Sequence, residues 1–320
     1  MNWPGADAGD GLIAARAIHF AASAMIAGVL AFRMLIAGPG LHLDPSTAGR
    51  FDSLTVRIAS TSLAICVGSG TAWLLLQAAA MSGLAIRNTM TADVIGTVMT
   101  ETRFGFVLGF RCFLAVVLTV GLALDRLGGA RWLSLIAALG LVGSLAWSGH
   151  AGSTVGGLGL VHLTADVLHV VAASTWIGGV VSLLLLFATI SRDASEPSPR
   201  VQLAAQRFSI LGIVSVLTLL VSGALNATIL VGSLDALFAT FYGRLLILKI
   251  ALFAMMLLVA TANRFWLTPR LAQIHPERGS DAVRQLVRNG YIEIALGMAI
   301  FAIVGALGTL HPSSHLASIH

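Results

Sequence analysis

The side chains best able to do chemistry in this sequence sit close together. Trp147-Ser-Gly-His150 leads through a glycine-rich link into His162-Leu-Thr-Ala-Asp166-Val-Leu-His169, and Trp176 follows seven residues later. Read as a helix, His162, Asp166 and His169 stand at i, i+4 and i+7, and with Trp176 they share one narrow stripe at about 100° per residue. Two imidazoles and a carboxylate on a stripe of an apolar segment are costly to bury and need partners. Imidazole nitrogen beside a carboxylate suits a borderline divalent metal such as Cu(II) or Zn(II). Imidazoles facing one another between helices equally suit axial ligation of haem iron. His19 near the start of the chain and His311 near its end are further nitrogen donors of the same kind.

The elements that must position these residues are membrane helices. The chain has 320 residues, 57% hydrophobic and 10% charged, with a mean hydropathy of +0.91. No soluble fold of that size hides so much apolar surface. About eight apolar stretches reach spanning length: Leu12–Ile36, Leu54–Ala78, Arg103–Leu124, Trp132–Gly149, Val161–Ile190, Phe208–Val231, Gly243–Phe265 and Asn289–Leu310. Helix is the only reading, because lipid demands an internally satisfied backbone and no alternating barrel strands occur. The start, Met-Asn-Trp-Pro, lacks a basic region, so no cleaved leader is expected.

Charge sets the expected orientation. Thirteen arginines fall in the links after the odd-numbered segments, against four (Arg16, Arg87, Arg103, Arg244) on the other side. The positive-inside rule then places both termini in the periplasm. The formal +5 charge belongs to these anchors and argues against nucleic acid as a partner. Cys66 and Cys112 lie inside apolar segments and read as small core residues. No P-loop, HExxH, CxxC or nucleophile elbow is present, so neither soluble-type hydrolysis nor ATP-driven pumping has support.

The two halves repeat. Arg16-x2-His19-x8-Gly28 matches Asp166-x2-His169-x8-Gly178, and Thr102-x2-Gly105-x5-Arg111-x14-Arg126 matches Thr240-x2-Gly243-x5-Lys249-x14-Arg264. The offset of 150 between the histidines falls to 138 at Gly105 and Gly243, so the first half carries 12 extra residues, expected in the loop holding Met81, Met90 and Met99. The fold expected is an all-α integral membrane protein of two parallel four-helix repeats in a single membrane domain. Residues 1–190 hold the first repeat (to about 150) plus helix 5, and residues 151–320 hold the second repeat. Gly28 and Gly178–Gly179 read as points of close helix contact. Arg111 and Lys249 occupy matching sites and suit counter-charges, to Asp166 or to haem propionates. Arg16 and Asp166 correspond with opposite sign and could pair.

In order and spacing these residues resemble the copper resistance D (CopD) family of bacterial inner-membrane proteins. The resemblance rests on Ser148-Gly149-His150, His162-x3-Asp166-x2-His169-x6-Trp176-x-Gly178-Gly179, Arg207-Phe208-Ser209, Ser222-Gly223-x2-Asn226, Tyr242-Gly243-Arg244-x4-Lys249 and Asn263-Arg264-x3-Thr268-Pro269-Arg270-Leu271. It implies copper passage across the inner membrane, with a separate periplasmic CopC-like copper-binding partner. It also implies His150, His162, Asp166 and His169 as metal-site residues; His19 and His311 are read here as secondary ligands. Arg16 stands where a second acid would be expected, which breaks the symmetry of the two halves.

The reading is therefore a copper transport or tolerance protein rather than an enzyme. The alternative is a b-type haem protein in electron transfer, with Cu(II) as an electron acceptor, His19, His169, His150 and His311 as axial ligands, and Arg111 and Lys249 near the propionates. The topology is directly testable. Reporter fusions within 192–199 and at Gly279 should read cytoplasmic and fusions after His320 periplasmic; a cytoplasmic C-terminus contradicts the orientation.

Overall fold

A computed structural model describes residues 6–38, 41, 43–149, 156–190, 199–231, 234–271 and 276–310. His42, His150, His275, His311, His315 and His320 lie outside the described residues.

Among the described residues the chain is helical throughout, with no strand. Helix α1 (Ala6–Phe32) runs into a π-turn (Arg33–Ala37), and α2 spans Pro45–Ser82. Two short helices, α3 (Ile86–Thr89) and α4 (Ala92–Glu101), lead to α5 (Arg103–Ala123). Helix α6 (Gly128–Gly143) ends in a 3₁₀ turn (Ser144–Ser148). Helices α7 (Gly156–Ile190) and α8 (Pro199–Val231) follow, then the short α9 (Leu234–Ala239) and α10 (Phe241–Ala262). A π-turn (Asn263–Leu267), the single-turn α11 (Thr268–Arg270) and α12 (Pro276–Leu307) complete the chain. Eight helical stretches are long and apolar enough to cross a membrane, so the all-α membrane class read from the sequence holds.

Helices α2 and α8 each begin nine residues before the apolar run that marked them. Those early turns carry Arg50 in α2, and Arg200 and Arg207 in α8. Charge ends an apolar run without ending a helix. The start of α2 is fixed instead by Asp44, whose side chain accepts from the backbone N–H of Thr47 at 2.9 Å, with Pro45 at the first helical position.

Helices α1 and α7 form the middle of the bundle. In their most apolar windows 72% and 61% of residues are buried, against 17% for α8 and 6% for the span containing α10, which face outward. The two central helices touch backbone to backbone. A Cβ at Gly28 would lie 2.2 Å from the Ser174 carbonyl oxygen and 2.6 Å from the Gly178 Cα, so no larger residue fits at the crossing. The expectation for Gly28 and Gly178 is met; Gly179 packs instead against the Phe208 ring of α8.

The Thr-x2-Gly matches have a local cause. Thr102 and Thr240 each cap the following helix, accepting from the N–H of Gly105 and of Gly243 at 3.0 Å. A Cβ on either glycine would meet a carbonyl oxygen of the preceding short helix at 2.2 Å. The link from α2 to α5 holds two short helices where the link from α8 to α10 holds one; Met90 in that link and Met81 in the last turn of α2 are exposed.

At the opposite end an ion network ties α1, α2, α5 and α6. Buried Arg33 donates from Nε to Asp52 at 2.8 Å and from both Nη atoms to Asp125 at 2.6 and 2.7 Å. Arg131 adds contacts of 3.2 Å to Asp52 and 3.7 Å to Asp125. Burial opposes the charge on Asp125, but the hydrogen bonds and charge of Arg33 outweigh it, and the carboxyl titrates below its ordinary value. Because the folded pKa is depressed, this stability is present above about pH 4, the unfolded value. It is lost as pH falls through the folded pKa. Asp125→Ala should remove two of the three carboxylate hydrogen bonds of buried Arg33, leaving Asp52 as its partner, and cost about 1.5–3 kcal/mol per charged hydrogen bond lost, read as a loss of thermal stability in detergent at pH 7 that narrows as the wild type is acidified.

Candidate functional site

The histidines sit where they do because of the glycine crossing. His19 and His169 each lie nine residues before their crossing glycine, about 13 Å along the helix, on the same side of the contact.

His162, Asp166 and His169 of α7 line one cavity of about 170 Å³, together with Arg16 of α1, Gly149, Tyr242 and Lys249 of α10, and apolar residues of α12. His162 is fully buried; Asp166, His169 and Lys249 are half-buried. The Asp166 Oδ1 accepts from Asn226 Nδ2 of α8 at 3.0 Å. A methyl group at Gly149 would stand 3.8 Å from Asp166 Oδ2, which places the second carboxylate oxygen beside the Ser148-Gly149 turn.

His169 Nδ1 lies 3.0 Å from Ser222 Oγ. That hydroxyl donates its proton to the Thr218 carbonyl, so it accepts from the histidine. The ring therefore carries its proton on Nδ1 and keeps a lone pair on Nε2. Gly223 lets α8 approach: a Cβ there would be 3.4 Å from His169 Cε1. His19 is held in the same manner by a different pair of helices. Its Nδ1 donates to the Cys66 carbonyl of α2 at 3.0 Å, Ser69 Oγ is 3.3 Å away, and a Cβ on Gly70 would be 3.3 Å from its Cε1. Cys66 is the small buried residue expected, with its Sγ 3.3 Å from Ser23 Oγ.

The rings of His19 and His169 do not share a site. His19 is outside the cavity lining and packs edge-on against Trp73, ring centroids 5.5 Å apart. Among the described residues no three His, Cys, Asp or Glu side chains close around one point at metal distance. His150 and His311, the remaining expected ligands, lie outside the described residues.

Two sequence expectations change here. Arg16 and Asp166 line the same cavity but make no ion pair; Asp166 is bonded to Asn226, while the Arg16 guanidinium lies 4.7 Å from the centroid of the Trp73 ring. Arg111 is fully buried rather than snorkelling, and meets no carboxylate. It donates to Ser144 Oγ, the Ser144 carbonyl and Ser148 Oγ at 2.8–2.9 Å, and its Cζ is 5.3 Å from the Trp73 centroid. Cation–π contact is worth up to about 2 kcal/mol when desolvated, against several kcal/mol to bury each ion, so Trp73 offsets only part of the cost. Trp176, on the same helical stripe, is buried against Phe253 and lines another cavity.

That second cavity, of about 260 Å³, lies between α7, α8, α10 and α12. Glu293 of α12, which the motif reading passed over, is buried in its wall. Its two oxygens accept from Trp176 Nε1 at 3.1 Å and from Asn263 Nδ2 at 2.7 Å, and Asn289 in turn donates to Asn263. The π-turn Asn263–Leu267 carries the asparagine of this network, and such turns concentrate at functional sites. The signal was available: Glu293 is the only acidic residue after Asp281.

Eight apolar helices among the described residues, with a small cavity of ionisable walls between α1, α7, α10 and α12, define a polytopic membrane protein with a polar site inside its helices. The chain belongs to the copper resistance protein D family. It matches the family description "Copper resistance protein D" over residues 202–307 and "Copper resistance protein D-like, N-terminal domain" over residues 6–160. It is 29% identical to inner membrane protein YebZ of Escherichia coli (strain K12) over 94% of this chain and 98% of that one. It is 27% identical to copper resistance protein D of Pseudomonas syringae pv. tomato over 75% of this chain and 78% of that one. Copper transport protein CutJ of Bacillus subtilis (strain 168) is 34% identical over 56% of this chain, which is 30% of its own length. No solved structure matches.

Replacing Glu293 by alanine should leave two buried donors without an acceptor, at about 1–3 kcal/mol each. Glu293→Gln keeps one acceptor oxygen and should lose less; equal losses on detergent unfolding would show that the hydrogen bonds are not what the carboxyl supplies.

Proposed function

We propose that this protein is a bacterial inner-membrane copper transport or tolerance protein that takes copper from the periplasm at the cavity of His162, Asp166 and His169. The observation that carries the reading is the His169 ring, whose Nδ1–H is fixed by Ser222 so that Nε2 keeps its lone pair at a cavity shared with His162 and Asp166. His162 and His169 serve as nitrogen ligands. Asp166 serves as a ligand or orients one, since Asn226 holds only its Oδ1. His150 and His311 are the further donors of the set; His19, whose ring lies outside the cavity lining, is not.

The names of the relatives support copper as cargo, and that of the Escherichia coli relative supports the inner membrane. The arginine bias supports periplasmic termini and a periplasmic mouth for the cavity. A two-repeat organisation is supported by the way His19 and His169 each face a Ser-Gly pair, Ser69-Gly70 and Ser222-Gly223. A separate CopC-like protein delivers or receives the metal at this mouth. Movement is passive or coupled to an ion or a partner.

Copper is favoured over a bis-histidine haem because the His19 and His169 rings occupy separate surroundings and the cavity, at about 170 Å³, is smaller than the roughly 300 Å³ at which organic-ligand sites begin. His162→Ala, His169→Ala and Asp166→Asn should each lower copper bound by the purified protein by about 10–100-fold and reduce copper-dependent phenotypes in cells. His42→Ala and His275→Ala should change neither. Unaltered copper binding in all three variants contradicts the site, and a stoichiometric Soret band in protein from haem-replete cells contradicts copper as the primary ligand.

A further inference from the structure

The first half of the bundle holds a cluster of the opposite electrostatic character, and the copper reading makes no use of it. Arg16, Trp73 and Arg111 are all buried, with relative exposures of 5%, 1% and 2%. Both guanidinium carbons lie within 5.3 Å of the Trp73 ring centroid, so they are at most about 10 Å apart. Neither arginine makes an ion pair with an acidic residue among the described residues. Among the described residues three donor atoms of the cluster have no acceptor: Arg16 Nε, Trp73 Nε1 and Arg111 Nη1. Buried N–H donors are almost always paired, and two buried like charges without a counter-ion repel in a low-dielectric interior. A neutral solute would satisfy the donors and leave the charge. Only an anion answers both.

We propose that Arg16, Trp73 and Arg111 form a binding site for one compact monovalent inorganic anion of the halide type. Guanidinium and indole N–H groups are pure donors, which suits an acceptor with no proton of its own. The site is tight: a Cβ at Gly308 would come within 2.0 Å of Arg16 Nη2, and the remaining Arg111 donors are held by Ser144 and Ser148. A small sphere fits such surroundings better than a branched oxyanion. Arg16 also lines the cavity of His162, Asp166 and His169, so the anion enters by the same mouth. The proposal rests on no part of the copper reading.

The test is thermal unfolding of the purified full-length protein in detergent, at constant ionic strength, with gluconate replaced stepwise by chloride or bromide. Binding to the folded state alone predicts a saturable rise in Tm that follows the logarithm of one plus the ratio of anion concentration to Kd. Arg111→Gln and Arg16→Gln should abolish that rise. In gluconate alone Arg16→Gln should be at least as stable as the wild type, because removing one of two uncompensated charges relieves repulsion. A second readout needs no arginine variant: bromide should quench Trp73 fluorescence saturably in the wild type, and that component should vanish in Trp73→Phe. A wild-type Tm independent of halide, or equal stabilisation by acetate and phosphate, overturns the assignment.

Discussion

Everything in this bundle depends on one contact, the crossing of α1 and α7 at Gly28 and Gly178. With no side chain on either helix at that point the two backbones come within van der Waals distance, closer than any Cβ allows. The central pair is thereby locked in axial register, and every ionisable group of interest is placed by its distance from the lock. His19 and His169 lie an equal number of residues from it, with Arg16 and Asp166 one turn further out. The remaining helices pack around this pair and supply what its polar residues need: α2 and α8 orient the imidazoles, and α5 and α10 bring the cations Arg111 and Lys249.

The same placement produces two different electrostatic environments. Around His169 the position one turn earlier is Asp166, and the chain offers it an amide from Asn226 rather than a cation within ion-pair distance. Around His19 the equivalent position is Arg16, and Arg111 joins it on the same indole. A pocket with two imidazoles and a carboxylate favours a metal cation; one with two guanidiniums repels it. An equal pair of metal sites is thus physically disfavoured: at the same offset Arg16 stands for Asp166 and Leu12 for His162. Glu293 of α12 is a third kind of site, a buried carboxyl held by neutral donors in the wall of a separate cavity, where it meets Trp176 of the α7 stripe.

Much of this was legible in the sequence, for reasons that also explain what was not. Long apolar runs fixed eight spans, since lipid allows only helices of that length. Their polar first turns were missed because hydropathy reports burial in lipid, not helix formation; Asp44 and Pro45 start α2 nine residues before its apolar run. The stripe from His162 to His169 was legible because helical periodicity is local. Its extension to Trp176 pointed in the right direction but into a different cavity, because periodicity says nothing about where α12 closes the space between. The pairing of Arg16 with Asp166 failed for the same reason: spacing puts both at one level of the bundle, but Trp73 and Asn226 supply nearer partners. Glu293 carried no motif and so drew no attention, although a lone acid in a spanning helix is itself a signal.

The central claim, that copper is bound by nitrogen and oxygen donors of α7, is tested most directly by X-ray absorption at the copper edge on purified protein loaded with one equivalent of the metal. The account predicts a first shell of nitrogen and oxygen with the outer-shell scattering characteristic of imidazole, reduced by one imidazole in His169→Ala. A first shell of sulfur, pointing to Met81, Met90 or Cys66, or a spectrum unchanged by that substitution, would contradict it.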